Sequence, residues 1–398
     1  MINTLLVDLD DTLLKNDMDT FIPAYIKLLG KKLSPWVPEE RLVPLLYQGT
    51  YAMFENKNSE STLEEVFDEN FYPPLGLSKA ELQGAIDDFY LTDFPELKAM
   101  TDPIPSAQQL IAYAFDNQLE VVIATNPLFP GTAIEQRLDW AGLGVNEFTY
   151  ALVTSYENAH FAKPNMEYFA EILGLLGRNP YEAAMIGNDH AHDILPAKTL
   201  GLDVFHLTNQ SNHDLPAGDQ DQAVEWLRSI INHTGSGRFT TPENLIARLR
   251  GNLAAFVGFE DHIEEDLWSS RPKEDTWAPV EIIAHLRDVE LEVNLPRVKA
   301  ILHGDEPFLS APDSDKWATE RWYISQPIRE AMKSLIRARK QTIDILGGPD
   351  LEIWQRTARH AIFGPTDLLE IVRIFIEHDI MHLRQLRETL ASLSTSFK

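Results

Sequence analysis

Along the first 232 residues, hydrophobic positions follow two alternating patterns. Short apolar runs rich in β-branched residues stand at Asn3–Leu9, Glu120–Thr125, Tyr150–Thr154, Ala183–Gly187 and Asp203–Leu207. Between them, apolar residues recur at helical spacing in Pro105–Asp116, Thr132–Ala141, Asn165–Leu176 and His192–Leu200, with a last helix at Asp221–Asn232. Strands alternating with helices predict an α/β fold, a Rossmann-like, doubly wound parallel sheet. Residues 15–100 break the rhythm with helical periodicity, several prolines and few strand signals. So long a stretch is not a loop; it reads as a helical cap inserted after the first strand.

From residue 239 the pattern is all-α. Four long helical patterns run at about Pro242–Ser269, Ala278–His303, Ser325–Leu346 and Pro365–Ser392. Turn residues separate them: Arg271–Pro272, Ala311–Pro312 and Gly347–Gly348–Pro349. Four helices of that length predict a four-helix bundle. Asn209–Asp221 is polar and punctuated by Pro and Gly, and His233–Arg238 (HTGSGR) reads as a linker. The expected domains are therefore 1–232 (core 1–14 and 101–232, cap 15–100) and 239–398.

Charge narrows the partners. The 398 residues carry 34 Lys and Arg against 61 Asp and Glu, a net of −27. Residues 1–238 hold 14 basic against 35 acidic residues, and the remainder 20 against 26. Neither half offers the clustered cations that bind phosphate backbones, so nucleic acid and anionic membrane surfaces are disfavoured as partners. The absence of cysteine excludes disulfides, thiolate metal sites and a Cys nucleophile. No apolar stretch approaches the ~18 residues of a membrane span. Met1–Asp11 turns acidic without a basic leader, unlike a signal peptide. A cytoplasmic location is the simplest expectation.

Candidate chemistry gathers where the strands end. Asp8-Leu9-Asp10-Asp11-Thr12 follows the first run, and Thr125-Asn126 ends the second. Lys163-Pro164 lies after the third, and Gly187-Asn188-Asp189-His190-Ala191-His192-Asp193 after the fourth. In an open α/β sheet, ligand groups collect beyond the carboxyl ends of strands. Two carboxylates two residues apart can share a cation and still take different roles; helix capping by Asp11 or Thr12 is the plainer alternative. In the second half, His378 and His382 stand one helical turn apart, and His285 lies in the apolar helix Val280–Leu302. Three imidazoles plus an open position suit Zn²⁺ or Ni²⁺. The alternative is that the imidazoles bond to Glu377, Asp379 or Asp288. His190, His192, His303 and His360 read as capping, surface or packing residues.

The order DxDxT, Thr, Lys-Pro, Gly-Asn-Asp resembles the haloacid dehalogenase superfamily over residues 1–232, and residues 15–100 sit where that superfamily carries its cap. The resemblance implies that Asp8 is a nucleophile forming an aspartyl-phosphate and Asp10 the acid and then the base. Thr125, with Asn126 beside it, would bind the phosphoryl group, and Lys163 would offset its charge. Mg²⁺ would sit on the Asp8 carboxylate, the Asp10 carbonyl and the fourth loop. Asn188 is the loop ligand if Gly187 and Asp193 set the register. Asp189 is preferred, because a carboxylate binds Mg²⁺ better than an amide; Asp193 would then hold a metal-bound water or Lys163. Asp10 favours phosphoryl transfer over dehalogenation, and Lys163 disfavours the phosphonatase branch. The implied substrate is a small phosphorylated metabolite, a phosphate monoester. The cap aromatics Trp36, Tyr47, Tyr51, Phe54, Phe71 and Tyr72 read as the cap's own core.

Trp277–Glu290, Phe363-Gly364-Pro365 and His378-Asp379-Ile380-Met381-His382-Leu383-Arg384-Gln385-Leu386 are together similar to the DinB/YfiT-like metal-binding bundles, over residues 239–392. The similarity implies a divalent metal on His285, His378 and His382, completed by water. It leaves the activity open between a thiol-dependent transferase and a hydrolase. A rival reading makes the chain a sensor of a phosphorylated metabolite without turnover, its bundle pairing two copies as a homodimer.

Overall fold

The structure is a computed structural model and describes residues 1–209, 215–232, 240–348 and 351–393. The expected linker His233–Arg238, part of Asn209–Asp221 and the turn residue Pro349 lie outside the described residues. The chain divides into two compact units, residues 1–169 with 180–238 and residues 170–179 with 239–398.

The first unit is built on a six-stranded parallel sheet. Its strands are β1 (Thr4–Val7), β2 (Glu120–Ile123), β3 (Leu152–Val153), β4 (Ala183–Gly187), β5 (Asp203–Leu207) and β6 (Ala217–Gly218), in the order β3-β2-β1-β4-β5-β6. β1 reads TLLV and is buried throughout, as a central strand covered on both faces must be. Val7 lies opposite Ile123 on one side and Ile186 on the other, so three chains leave the sheet at one level. The strand order reverses between β1 and β4, where a crevice opens beyond the strand ends. The run Tyr150–Thr154 contracts to a half-buried pair, Leu152–Val153. The edge pair Ala217–Gly218 has too little apolar character to announce itself.

The cap departs and returns through a two-strand ribbon, Leu14–Lys15 against Asp102–Pro103. Its helices are α1 (Met18–Leu33), α2 (Glu39–Glu55), α3 (Leu63–Leu75) and α4 (Lys79–Asp88). Local chemistry sets their ends. Asp17 accepts from the Asp19 N–H at the start of α1. Thr62 and Glu65 form a capping box on α3, which stops at Gly76 with φ 76°. Phe21, Phe89 and Phe94 of the cap join one buried cluster with Leu5 and Val7 of the sheet. A further helix, α5 (Gly131–Trp140), follows β2.

The second unit is a four-helix bundle. α6 (Pro242–His262) is capped by Thr241 with Pro242 in its first turn. α7 (Pro279–Val289) passes through a π turn, Glu290–Asn294, into α8 (Leu295–His303), making one long rod. α9 (Ile328–Leu346) and α10 (Leu368–Leu393) complete it. α6 stops short of the predicted Ser269. α10 starts at Leu368 rather than Pro365, because residues before it form a small sheet: β7 (Phe308–Leu309), β8 (Thr357–His360) and β9 (Gly364–Asp367), in the order β9-β8-β7. β8 buries only Ala358 and His360, too weak an alternation to see in sequence. Among the described residues, no helix is long and apolar enough to cross a membrane.

Candidate active site and candidate metal centre

The sheet register brings the strand-end residues of the first unit together. Asp8 follows β1 directly, its N–H donating to Ile186 O at 3.0 Å. The residue is 7% exposed. Lys163, 1% exposed, donates from Nζ to Asp8 Oδ1 at 2.8 Å and to Asp193 Oδ1 at 2.5 Å. Burial pushes the Asp8 carboxyl up to about 7; Asp193 and Asp10 push the same way, and Lys163 opposes them. Thr125 is buried just past β2, and its carbonyl accepts from Tyr168 Oη at 2.8 Å and Thr154 Oγ1 at 2.9 Å. Asn126 Oδ1 accepts the Lys163 N–H at 3.2 Å, so Asn126 positions the lysine loop. Asp193 therefore takes the second of its two expected roles, holding Lys163.

The fourth loop separates Asn188 from Asp189. The Asp189 carboxylate turns back on its own turn: it accepts from Ala191 N at 2.8 Å and His192 N at 3.0 Å, and lies 2.9 Å from His192 Nδ1. It caps residues 190–194 and is half exposed. Asn188 faces the first loop instead, its Oδ1 accepting from Thr12 Oγ1 at 3.2 Å. The caps on residues 190–194 thus engage the Asp189 carboxylate, while Asn188 Oδ1 stands beside the Asp8–Thr12 loop. Gly187 has a reason to be glycine: a Cβ there would lie 2.3 Å from Asp193 Oδ2.

Asp10 has company that sequence reasoning missed. Arg137 Nη1 donates to both Asp10 oxygens, at 2.9 and 2.6 Å, and Asn16 Nδ2 donates to Oδ1 at 2.7 Å. Arg137 is 1% exposed, and its guanidinium lies 4.8 Å from the centroid of the Phe129 ring. The available signal was its place on the apolar stripe of α5 with Ala133, Ile134 and Leu138, an unusual position for an unpaired cation.

Three carboxylates (Asp8, Asp10, Asp193) thus face two cations (Lys163, Arg137) in a largely buried crevice. The oxygen donors and the surplus negative charge fit a hard divalent cation such as Mg²⁺. Asp8, the Asp10 carbonyl and Asn188 are the groups that would hold it.

The second unit gathers His285 of α7 with His378 and His382 of α10, their candidate ligand atoms all within 4.8 Å of one another. Nε2 of His378 lies 3.2 Å from Nε2 of His285 and 3.2 Å from Nε2 of His382. Nitrogens about 2.0–2.1 Å from one tetrahedral ion stand roughly 3.3 Å apart, so the spacing fits a metal such as Zn²⁺. Gln385 Oε1 lies 2.8 Å from His382 Nδ1, which fixes that proton and turns the Nε2 lone pair inward. The Trp277 ring lies parallel to His382 (1° apart) at 5.9 Å and tilts over His285 at 5.0 Å. Burial, with the neighbouring imidazoles, holds His285 and His378 down at about 3.

The carboxylates that offered the imidazoles another partner are engaged by cations. Asp379 pairs with Arg339 at 2.5 Å, Glu377 with Arg373 at 2.5 Å, and Asp288 with Arg287 at 2.6 Å and Arg321 at 2.5 Å. Arg339 also holds Glu290 at 3.0 Å, and Asn294 and Thr342 donate to Glu290. His360 packs against Phe363, ring centroids 4.6 Å apart, away from the triad's contacts.

Residues 2–201 match the family model of the haloacid dehalogenase-like hydrolases, and residues 245–386 that of the DinB superfamily. No curated protein matches the chain. Similar solved structures include a HAD phosphatase from Thermococcus onnurineus (15% identity, 59% of this chain and 100% of that one, TM-score 0.38). Another is a 2-haloacid dehalogenase from Pseudomonas syringae pv. Tomato DC3000 (20% identity, 57% and 99%, TM-score 0.42). A third is YfiT from Bacillus subtilis, a four-helix bundle of unusual topology (14% identity, 40% and 90%, TM-score 0.36).

Proposed function

The chain belongs to the haloacid dehalogenase-like hydrolase family, and within it we propose a Mg²⁺-dependent phosphatase of small phosphate monoesters. The observation that carries this reading is a pair of carboxylates two residues apart in unlike surroundings. Asp8 is buried against Lys163, and Asp10 is held by Arg137 and Asn16.

Asp8 attacks phosphorus; its new O–P bond forms as the ester O–P bond breaks, and the leaving oxygen takes a proton from Asp10. Water then attacks the aspartyl-phosphate at phosphorus and gives its proton to Asp10, which releases phosphate and restores Asp8. Proton transfer requires an Asp10 oxygen to turn from Arg137 towards the ester, so Arg137 is a positioning residue. Mg²⁺, when bound, would offset charge between Asp8 and the phosphoryl group. Lys163 anchors Asp8 and neutralises part of the same charge, and Thr125, just past β2, is the candidate donor to a phosphoryl oxygen.

The test is hydrolysis of a generic aryl phosphate with Mg²⁺. Turnover is expected, with Asp8→Asn losing roughly 10³-fold or more in kcat. No turnover of any member of a broad phosphate panel would overturn the reading in favour of a sensor without turnover.

In the second unit, the convergence of three Nε2 atoms favours a resident divalent metal, Zn²⁺ or Ni²⁺, on His285, His378 and His382. Metal analysis of the full chain should return one equivalent that His378→Ala loses. Equal content in both would remove the triad as its site.

A further inference from the structure

Between the cap helices and the loop after β2 lies a cavity of about 160 Å³. Leu29, Leu46, Phe71 and Ile86 from the four cap helices line it, with Leu128 and Phe129 from the loop. Tyr47, Phe71 and Tyr72, expected to be cap core, all stand in its wall.

We propose that this cavity receives the organic part of the substrate, and that this part is uncharged, apolar and about the size of one aromatic ring. The proposal rests on the phosphatase reading and adds the substrate class. Four observations carry it.

The first is position. Leu128 N donates to Asn126 O at 2.8 Å, so the lining loop begins immediately after Thr125-Asn126. Phe129 in the wall carries on its ring the Arg137 guanidinium that holds Asp10. The cavity and the Asp8–Asp10 crevice therefore share a wall.

The second is size. An apolar protein cavity of roughly 150 Å³ accommodates benzene.

The third is charge. Lys79, the one cation among the described lining residues, already donates to Glu64 at 2.5 Å and Asp68 at 2.8 Å. It is therefore committed, and a second phosphate or a carboxylate on the substrate would find no free counter-ion.

The fourth is a polar handle. The hydroxyls of Tyr25 and Tyr90, both in the wall, lie 2.9 Å apart. The pair has two protons and its mutual bond uses one, which leaves a donor for a single ligand oxygen. In the reaction, the water oxygen ends on phosphorus and the ester oxygen departs with a proton as a neutral alcohol, able to leave an apolar site.

The experiment compares three substrates on the full chain with Mg²⁺: acetyl phosphate, benzyl phosphate and glycerol 3-phosphate. The expected kcat/KM for benzyl phosphate exceeds that for glycerol 3-phosphate by about tenfold or more. A smaller ratio, with turnover present, overturns the cavity assignment and leaves the phosphatase reading standing. No turnover of all three overturns both. Filling the cavity with Ile86→Trp should lower the benzyl-to-acetyl ratio by about tenfold; an unchanged ratio counts against the proposal. Should that variant not fold, saturation-transfer NMR of benzyl alcohol on the unaltered protein decides. Transfer that benzyl phosphate suppresses is expected, and absence of transfer overturns the assignment.

Discussion

The two candidate sites of this chain handle charge in opposite ways. Around Asp8, acidic and basic groups are set against each other: Lys163 between Asp8 and Asp193, Arg137 on Asp10. In the bundle, His285, His378 and His382 point their Nε2 atoms at one another as neutral rings, and the nearby carboxylates are taken by arginines. The first arrangement holds its geometry by internal ion pairs, so a metal there is an addition. In the second, three Nε2 atoms converge with only one another as partners, so a metal supplies an attraction that neutral rings lack. Chelation should therefore cost the bundle stability and the first site mainly activity.

The largest expected effect is on acid stability of the metal-free chain. His285 and His378 are held near 3 in the folded state against 6.5 when free. The folded chain keeps them neutral while the unfolded chain takes protons below 6.5. Stability is thus lost as pH falls through that window, on the order of 4 kcal/mol across two pH units for two groups. Calorimetry of chelator-treated Asp8→Asn protein between pH 7 and about 4.5 checks this, because the raised Asp8 carboxyl would act in the opposite sense; a flat profile would contradict the neutral-ring account.

Next, saturating Zn²⁺ should stabilise the unaltered protein by about 3 kcal/mol and His378→Ala by almost nothing. A similar gain in both would erase the contrast between the sites. Gly187→Ala should then cost about 2 kcal/mol and at least tenfold in kcat, since its Cβ would displace Asp193 and with it Lys163. Denaturant melts and aryl phosphate kinetics read both. The smallest effect is expected for Asn188→Asp, which should tighten Mg²⁺ about tenfold by replacing an amide ligand with a carboxylate. Titration calorimetry showing no gain would favour Asp189 as the ligand.

How much of this was legible in sequence depends on how local the signal is. Asp8, Thr125, Lys163 and Asp193 could be read because each follows a strand-like run or its loop, and parallel strands deliver their ends to one place. Arg137 could not, since its partner is 127 residues away and a helical arginine ordinarily points to solvent. The capping bonds of Asp189 could not be read, because a carboxylate that caps its own turn looks in sequence like a free one. Tyr47 and Tyr72 were read as packing because an aromatic that lines a void has the same sequence signature as one that fills it. β8 and β9 escaped because Thr-Ala-Arg-His and Gly-Pro-Thr-Asp bury almost no apolar surface.

The Arg339 cluster has one more consequence. Both Nη atoms of Arg339 grip Asp379, and Nη2 also reaches Glu290, all three residues almost wholly enclosed. Rotating or sliding α10 by a single residue would strip Asp379 from its partner and strand buried charges at a cost of about 3–5 kcal/mol. The helix is therefore phase-locked about its own axis. His378 and His382 flank Asp379 on that locked helix, so the imidazoles are aimed before any ion arrives, and the cost of their alignment falls on folding rather than on metal capture.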